Sequence, residues 1–406
     1  MNRSLAAELT REHAAELDAR DPLRALRERF VIDPEVVYLD GNSLGCLPRA
    51  TASRLEDLVG EGWGRRGVRG WDEGWLELPI EIGDRLGAAV LGAAPGQVVI
   101  GDSTTVCFYK LVCAALDARP GRSEIITDRD NFPTDRYVLE GVANARGLRL
   151  VWLDGDPETV TSLIGPDTAL VTFSHVSYRS ARIADMPRID RVVREAGALM
   201  LWDLSHSAGS VPISLDGDQV PLAVGCTYKY LNAGPGAPAY MYVSRELQSE
   251  LRQPIWGWLG RRDPFEMAPG YEAAAGMRGF LSGTPPVLAL AAVDEGVRLL
   301  AEAGIDAIRA KGIALTQLAI TLADERLATV RVASPRDPAR RGAHVALSHP
   351  DARGLCARLI ERGVIPDYRR PDVIRFGFSP LTTRFVDVWD GMEALRELTA
   401  TAAPPG

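Results

Sequence analysis

The stretch VGCTYKYLNAGPGAPAYMYV (224–243) carries Lys229, one of three lysines (with Lys110 and Lys311) among 46 basic residues in a chain of 406. Arginine supplies nearly all the positive charge. A lysine retained against that bias points to work arginine cannot do: giving up a proton and acting as an amine nucleophile or base. Lys229 also stands beside a predicted buried strand, an environment that makes an amine usable at neutral pH. The alternative is a solvated surface lysine, which suits the other two better. Lys110 falls within a helix, and Lys311 on an amphipathic helix whose solvent face would take it.

Other groups suit the same chemistry. LWDLSHSAG (201–209) runs an apolar strand into Asp203, with His206 three residues on. A buried aspartate is costly unless it holds a cation or a proton, and a protonated ring nitrogen would suit it. The pair could instead serve a hydrolase, but no G-x-S-x-G elbow accompanies it. GDSTTVCFYKL (101–111) ends a strand and opens a helix at Thr104 and Thr105. Hydroxyls and free backbone N–H groups there make a phosphate site or an ordinary N-cap. In DNFPTD (130–135), the following proline holds Phe132 extended, where it can stack on a flat ligand, with Thr134 and Asp135 as neighbours or caps. An amine, an acid for a ring nitrogen, an aromatic ring and a phosphate site are together what pyridoxal 5'-phosphate requires.

A scaffold must bring these groups to one edge. Between about 87 and 245, short β-rich runs (98–101, 124–128, 148–154, 169–176, 198–206, 222–227) alternate with helical stretches at 105–117, 134–146 and 186–197. That pattern predicts an α/β fold with a mostly parallel central sheet covered by helices, whose ligands lie at the carboxyl ends of the strands. PAYMYVS (238–244) adds a strand. After about 285, PPVLALAAVDEGVRLLAEAG reads as a long helix ending at Gly304. The strands TVRVAS, AHVALSH and VIRFGFS then alternate with helices to form a smaller α+β domain. The first thirty residues have a helical period (Leu5, Leu9, Ala14, Leu17, then Leu23, Leu26, Phe30), and the terminal TAAPPG reads as frayed. The expected division is an N-terminal arm packing with the small domain (1–50), a large cofactor-binding domain (51–290) and a small C-terminal domain (291–406).

The bulk numbers narrow the class. A net charge of −8 and a pI near 5.4 argue against a nucleic-acid or anionic-membrane partner. No apolar run approaches the ~20 residues of a membrane span, and the charged N-terminus reads as no signal peptide. Five cysteines without a C-x-x-C predict free thiols and a cytoplasmic setting. Five scattered histidines predict no structural metal.

Several segments resemble one family among the fold-type-I pyridoxal-phosphate enzymes. DLSHSAG and CTYKYLNAGPG look like the aspartate and lysine segments of that superfamily. YLDGNSLGCLP (38–48), NFPTDRYVLEG (131–141), TYKYLNAGPG (227–236), GWLG (257–260) and SGTPPVL (282–288) closely resemble kynureninases, and the similarity runs over about 37–390. The resemblance implies that Lys229 joins the cofactor's aldehyde, Asp203 pairs with its ring nitrogen, His206 sits by its ring substituents and Phe132 stacks on it. Thr104, Thr105, Tyr228 and Trp258 would hold the phosphate, with Thr284 joining from a second subunit; Asp135 and Ser174 would line the pocket. Arg375, in VIRFGFSPL, would grip the substrate's α-carboxylate as a fork, unless it serves a strand-edge salt bridge. Trp71, in RGWDEGW, would line the pocket for the substrate's aromatic ring, unless it is simply core. The implied reaction is hydrolysis of L-kynurenine to anthranilate and L-alanine, a step of tryptophan catabolism, in a homodimer, with Tyr228 shuttling protons.

There are departures and rivals. Arg261 stands where the family carries histidine, and Ser205 where alanine is usual. Thr284 in place of asparagine points to plain kynurenine rather than the 3-hydroxy form. A cysteine desulfurase shares the fold but needs a nucleophilic cysteine on a mobile loop, whereas Cys356 lies within a predicted helix. An aminotransferase or epimerase of the same fold is a second alternative. A non-enzymatic cofactor-binding regulator is a third, and it would carry a basic DNA-binding segment.

Overall fold

The computed structural model describes residues 10–401. The β-rich runs become β1 (Val98–Ile100), β2 (Glu124–Asp128), β3 (Arg149–Leu153), β4 (Thr168–Ser174), β5 (Leu199–Asp203), β6 (Leu222–Gly225) and β7 (Tyr240–Val243). They form one sheet in the order β1-β7-β6-β5-β4-β2-β3. The five strands from β3 to β6 pair in parallel. β7 runs antiparallel to both β6 and β1.

The nearly continuous apolar runs follow from burial on both faces. Successive side chains point to opposite sides. Ile126, Val171, Met200, Trp202 and Tyr240 join one core cluster with helices Leu78–Leu86, Met186–Glu195 and Val287–Ala303. Ile125, Leu170, Leu201, Val224 and Met241 join another with helices Thr104–Asp117 and Pro133–Arg146. The expected α/β architecture is what forms.

The C-terminal portion builds a four-stranded antiparallel sheet from β8 (Arg331–Val332), β9 (His344–Ser348), β10 (Asp367–Arg369) and β11 (Val373–Gly377), in the order β8-β9-β11-β10. Helices Ile305–Arg326, Ala352–Glu361 and Phe385–Thr401 cover it. The N-terminal helix Arg11–Arg20 lies against the last of these. Asp18 accepts the backbone N–H groups of Phe385 (2.7 Å) and Val386 (3.1 Å), and Arg11 pairs with Asp390 at 2.7 Å. Val37–Tyr38 pairs in parallel with Val364–Ile365. Of the helical period expected at the start, Leu5 and Leu9 lie outside the described residues, as does the terminal stretch after Thr401.

The lysines require a correction. Lys311 was expected on a solvent face, but it is 7% exposed and its Nζ lies 2.6 Å from the carboxylate of Asp21. The N-terminal segment covers that side of the helix and brings its own counter-charge. Lys110 is fully buried, bonded to Asp102 (2.6 Å) and to the carbonyl of Phe280 (2.9 Å). In this chain the scarce lysines are interior residues, so rarity alone does not single out Lys229. Its partners do.

Candidate active site

The carboxyl ends of β2, β4, β5 and β6 deliver Asn131, Ser174, Asp203 and the 226–229 loop to one edge of the sheet. Parallel pairing sets Ser174 directly beside Asp203. Asp203 is buried, and its Oδ1 accepts the N–H of Ser205 at 2.8 Å. The hydroxyl of Ser205 accepts the N–H of Cys226 at 3.2 Å. Ser205 therefore ties the aspartate turn to the lysine loop.

Lys229 is 7% exposed. Its Nζ lies 3.0 Å from His206 Nε2, 5.5 Å from the ring centre of Phe132 and 5.9 Å from that of Tyr228. Lys110 and Lys311 each hold a carboxylate at ion-pair distance. Lys229 makes no such pair among the described residues; an imidazole and two aromatic faces surround it instead. His206 is held well below the ordinary histidine range by burial, and then by the cations Lys229 and Arg375, so it is neutral.

Asp135 completes the acid side. It is 1% exposed, its Oδ2 receives no donor, and its carboxyl faces that of Asp203. Burial, and then the Asp203 charge, push Asp135 far above the usual carboxylate range. Two facing carboxyl groups cannot both ionise cheaply, so Asp135 holds the shared proton.

Phe132 occupies the N-cap of helix Pro133–Arg146 in an extended conformation (φ −57°, ψ 135°), as the following proline predicts. Its ring meets Tyr178 edge-on at 5.3 Å. Asn131, which sequence reasoning passed over, is the brace behind it. The side-chain oxygen of Asn131 accepts from Phe132 N–H (2.8 Å) and from the Ser174 hydroxyl (2.8 Å), while its nitrogen donates to Thr127 (3.1 Å). Nothing in the one-dimensional spacing distinguishes such a brace from a turn asparagine. Thr104 and Thr105 open helix Thr104–Asp117 just after β1, behind Ser103, whose hydroxyl caps Val106 N–H at 3.4 Å. That leaves a hydroxyl-lined helix start facing outward.

Arg375 lies on β11, 1% exposed. Its Nε donates to Asp367 Oδ1 at 2.7 Å and its Nη2 to Asp367 Oδ2, a bidentate ion pair between neighbouring strands. Nη1 donates to the carbonyl of Tyr178, and Nη2 lies 3.3 Å from the Ser43 hydroxyl. With its amide turned to satisfy both neighbours, Asn42 accepts from Nη2 at 3.1 Å and donates to Asp40 at 3.3 Å. The strand-pair reading of Arg375 is thus met on one edge of the guanidinium. The Nη1–Nη2 edge faces a carbonyl, a hydroxyl and an amide rather than a second carboxylate.

The LDGNSLG turn joins this arginine to the lysine loop. Gly45 N–H donates to Tyr228 O at 2.8 Å, and a Cβ on Gly45 would lie 2.3 Å from the Lys229 carbonyl oxygen. A Cβ on Gly377 would lie 1.6 Å from the Asn42 side chain. Both positions require glycine for close approach.

Among the described residues, five predicted site residues are not joined to this cluster within one chain: Thr104, Thr105, Trp71, Trp258 and Thr284. Trp71 packs edge-on against Trp75 at 5.2 Å. Trp258 packs against Phe265 at 5.7 Å, and Thr284 is exposed just after Ser282, whose carbonyl accepts Leu259 N–H at 3.2 Å. Arg261 is tied within its own loop, to Glu266 and the carbonyl of Asp263, both at 2.7 Å. Cys356 is buried on helix Ala352–Glu361, and burial pushes its thiol up to about 11, so it is no thiolate nucleophile.

Residues 308–395 match a family model described as the kynureninase C-terminal domain. A kynureninase of Burkholderia pseudomallei (strain 1106a) is 45% identical over 403 residues, covering 97% of this chain and 96% of that protein. One from Pseudomonas fluorescens is 42% identical over 398 residues, covering 96% and 95%. Among solved structures, a cysteine desulfurase of Thermococcus onnurineus NA1 superposes with a TM-score of 0.81 at 18% identity, covering 93% of this chain and 98% of that one. The Escherichia coli desulfurase CsdA gives 0.80 at 17%, covering 94% and 99%. These two share the fold.

Proposed function

The chain belongs to the kynureninase family, and on that premise we propose that it hydrolyses L-kynurenine to anthranilate and L-alanine with pyridoxal 5'-phosphate as cofactor. The observation that carries the reading is a buried lysine with no carboxylate partner among the described residues, flanked by His206, Phe132 and a carboxyl pair. The residues fit the cofactor. Asp135 Oδ2 is a buried polar atom without a partner among the described residues, as expected where a polar heterocycle belongs. Lys229, Asp203, Asp135, His206, Phe132 and Ser174 would hold its ring end. Thr104, Thr105, Tyr228 and Trp258, with Thr284 of the partner subunit, would hold its phosphate.

When bound, pyridoxal phosphate supplies an aldehyde for the substrate's α-amine and a ring that withdraws electrons from the α-carbon. Arg375 would take the α-carboxylate on its Nη1–Nη2 edge in place of the Tyr178 carbonyl and Ser43 hydroxyl that it meets there, while Asp367 holds the guanidinium from behind. Lys229 Nζ takes the proton from the α-carbon. The Asp203 carboxylate keeps a proton on the ring nitrogen. Tyr228, its phenol pushed up by burial and by Cys226, stays protonated and delivers a proton to the β-carbon as the Cβ–Cγ bond breaks. Water adds to the γ-carbonyl, supplies the oxygen that ends on the anthranilate carboxyl and returns to Tyr228 the proton given to the β-carbon; Trp71 would line the side that takes the aromatic ring.

The exposed Trp256, Phe265 and Met267 beside Trp258 support a homodimer, which sedimentation would show as twice the 44.0 kDa chain. Five free cysteines support a cytoplasmic setting, testable by fractionation. The proposed division is 1–50, 51–290 and 291–406; helix Val287–Ala303 crosses the second boundary, and its Val293 and Val297 still pack on the central sheet, which favours a later start for the small domain. Domain-sized fragments that failed to fold would argue against these boundaries. The functional test is the appearance of anthranilate fluorescence with equimolar alanine from L-kynurenine alone. Consumption that requires a 2-oxo acid, yielding no alanine from kynurenine, would assign the chain to the aminotransferases instead.

A further inference from the structure

We infer that His344 is a positioning residue for the amine site, accepting the Nδ1 proton of His206 and so fixing the ring tautomer that faces Lys229. The inference rests on the reading of Lys229 as the working amine. His344 opens β9 in the small domain, opposite Gly377 of β11. It is fully buried, and among the described residues neither ring nitrogen has a hydrogen-bond partner. An imidazole with two unmatched nitrogens in a closed interior is costly, and such groups call for an explanation. Its ring centre lies 5.8 Å from that of His206, the planes tilted by 58°.

His206 creates the need. Its Nε2 is 3.0 Å from Lys229 Nζ. The contact is met when Nζ donates and Nε2 presents its lone pair. Burial and the neighbouring cations keep His206 neutral, which places its single ring proton on Nδ1. That N–H is a buried donor without an acceptor. Arg375 and Lys229 cannot accept it, and Asp367 is committed to Arg375 and Ser43. His344 is the neighbouring ring with an unused lone pair. A small rotation, or one bridging water, closes the contact. The bond leaves His206 Nε2 a bare acceptor for the lysine and ties the small domain to the amine site.

The test is long-range 1H–15N NMR on histidine-labelled cofactor-free protein, with the His206 signals assigned through His206→Asn. Wild-type protein and His344→Gln, whose amide oxygen can accept, are expected to show His206 protonated on Nδ1. In His344→Phe that proton shifts wholly or partly to Nε2. In the loaded enzyme, His344→Phe is expected to lower kcat about tenfold with little change in KM, and the glutamine variant to restore it. His206 protonated on Nε2 in wild type, or an unchanged tautomer in folded His344→Phe, overturns the inference. The wild-type measurement decides the matter even where the phenylalanine variant does not fold. A correct tautomer in a protein that leaves kynurenine intact would instead overturn the functional reading and leave this one standing.

Discussion

The guanidinium of Arg375 is held on both of its edges, one by a carboxylate and the other by neutral groups that a substrate carboxylate could replace. Asp367 fills its Nε–Nη2 edge, and the Tyr178 carbonyl, Ser43 and Asn42 surround the other. Lysine in its place would keep the charge and lose the fork. Arg375→Lys is therefore expected to lower kcat/KM for kynurenine by roughly 10–100-fold, mostly through KM, because a charged hydrogen bond is lost from substrate binding. Steady-state kinetics check this; an unchanged KM would remove Arg375 from the carboxylate site. At this scale the sequence singled out Lys229, Asp203, His206 and Phe132 by residue type, and the structure places them together at one sheet edge. The sequence was not legible where a role arises from what another segment brings near. Asp367, Asn131 and His344 carry no local signature, since each matters only through a contact made across the fold.

Among the elements, the strands of the central sheet were the most legible. Residues buried on both faces must be apolar and tolerate β-geometry, and Glu124–Asp128 ended where the sequence predicted. The π-helical turns at Leu58–Arg66 and Gly87–Leu91 had no comparable signal, because wider helical turns share the composition of ordinary helix. Packing beneath β5 yields a pH prediction. Trp202 Nε1–H donates to Asp190 on helix Met186–Glu195 at 2.8 Å. Burial pushes Asp190 up to about 8, with the tryptophan bond opposing it. The folded state thus holds a proton that the unfolded chain releases near the usual carboxylate range. Stability from this group is present at low pH and is lost as pH rises toward and through about 8. Asp190→Asn, which keeps an acceptor for the indole, is expected to stabilise the protein at pH 9 relative to wild type by roughly 1–3 kcal/mol and to do little at acid pH. Urea unfolding at the two pH values checks it; an equal effect at both would contradict a buried, protonated Asp190.

Across the whole molecule, the N-terminal segment, the sheet edge and the small domain meet around Lys229 and Arg375. The buried pair Lys311–Asp21 fastens the first of these to the third. Removing one member strands a charge, so Lys311→Met is expected to cost about 3–5 kcal/mol, and adding Asp21→Asn to recover much of it. Denaturant midpoints of the single and double variants would show this; equal loss in both would mean that packing, not charge, holds the junction. The scarcity of lysine was visible in the sequence, but its meaning was not, because all three lysines are interior and only their partners separate them. Everything converges on one amine at the carboxyl edge of the sheet. Borohydride reduction of the cofactor-loaded protein, followed by digestion and mass measurement of each peptide, tests this most directly. The pyridoxyl label is expected on the peptide containing Lys229. A label on Lys110, Lys311 or no peptide would contradict the account.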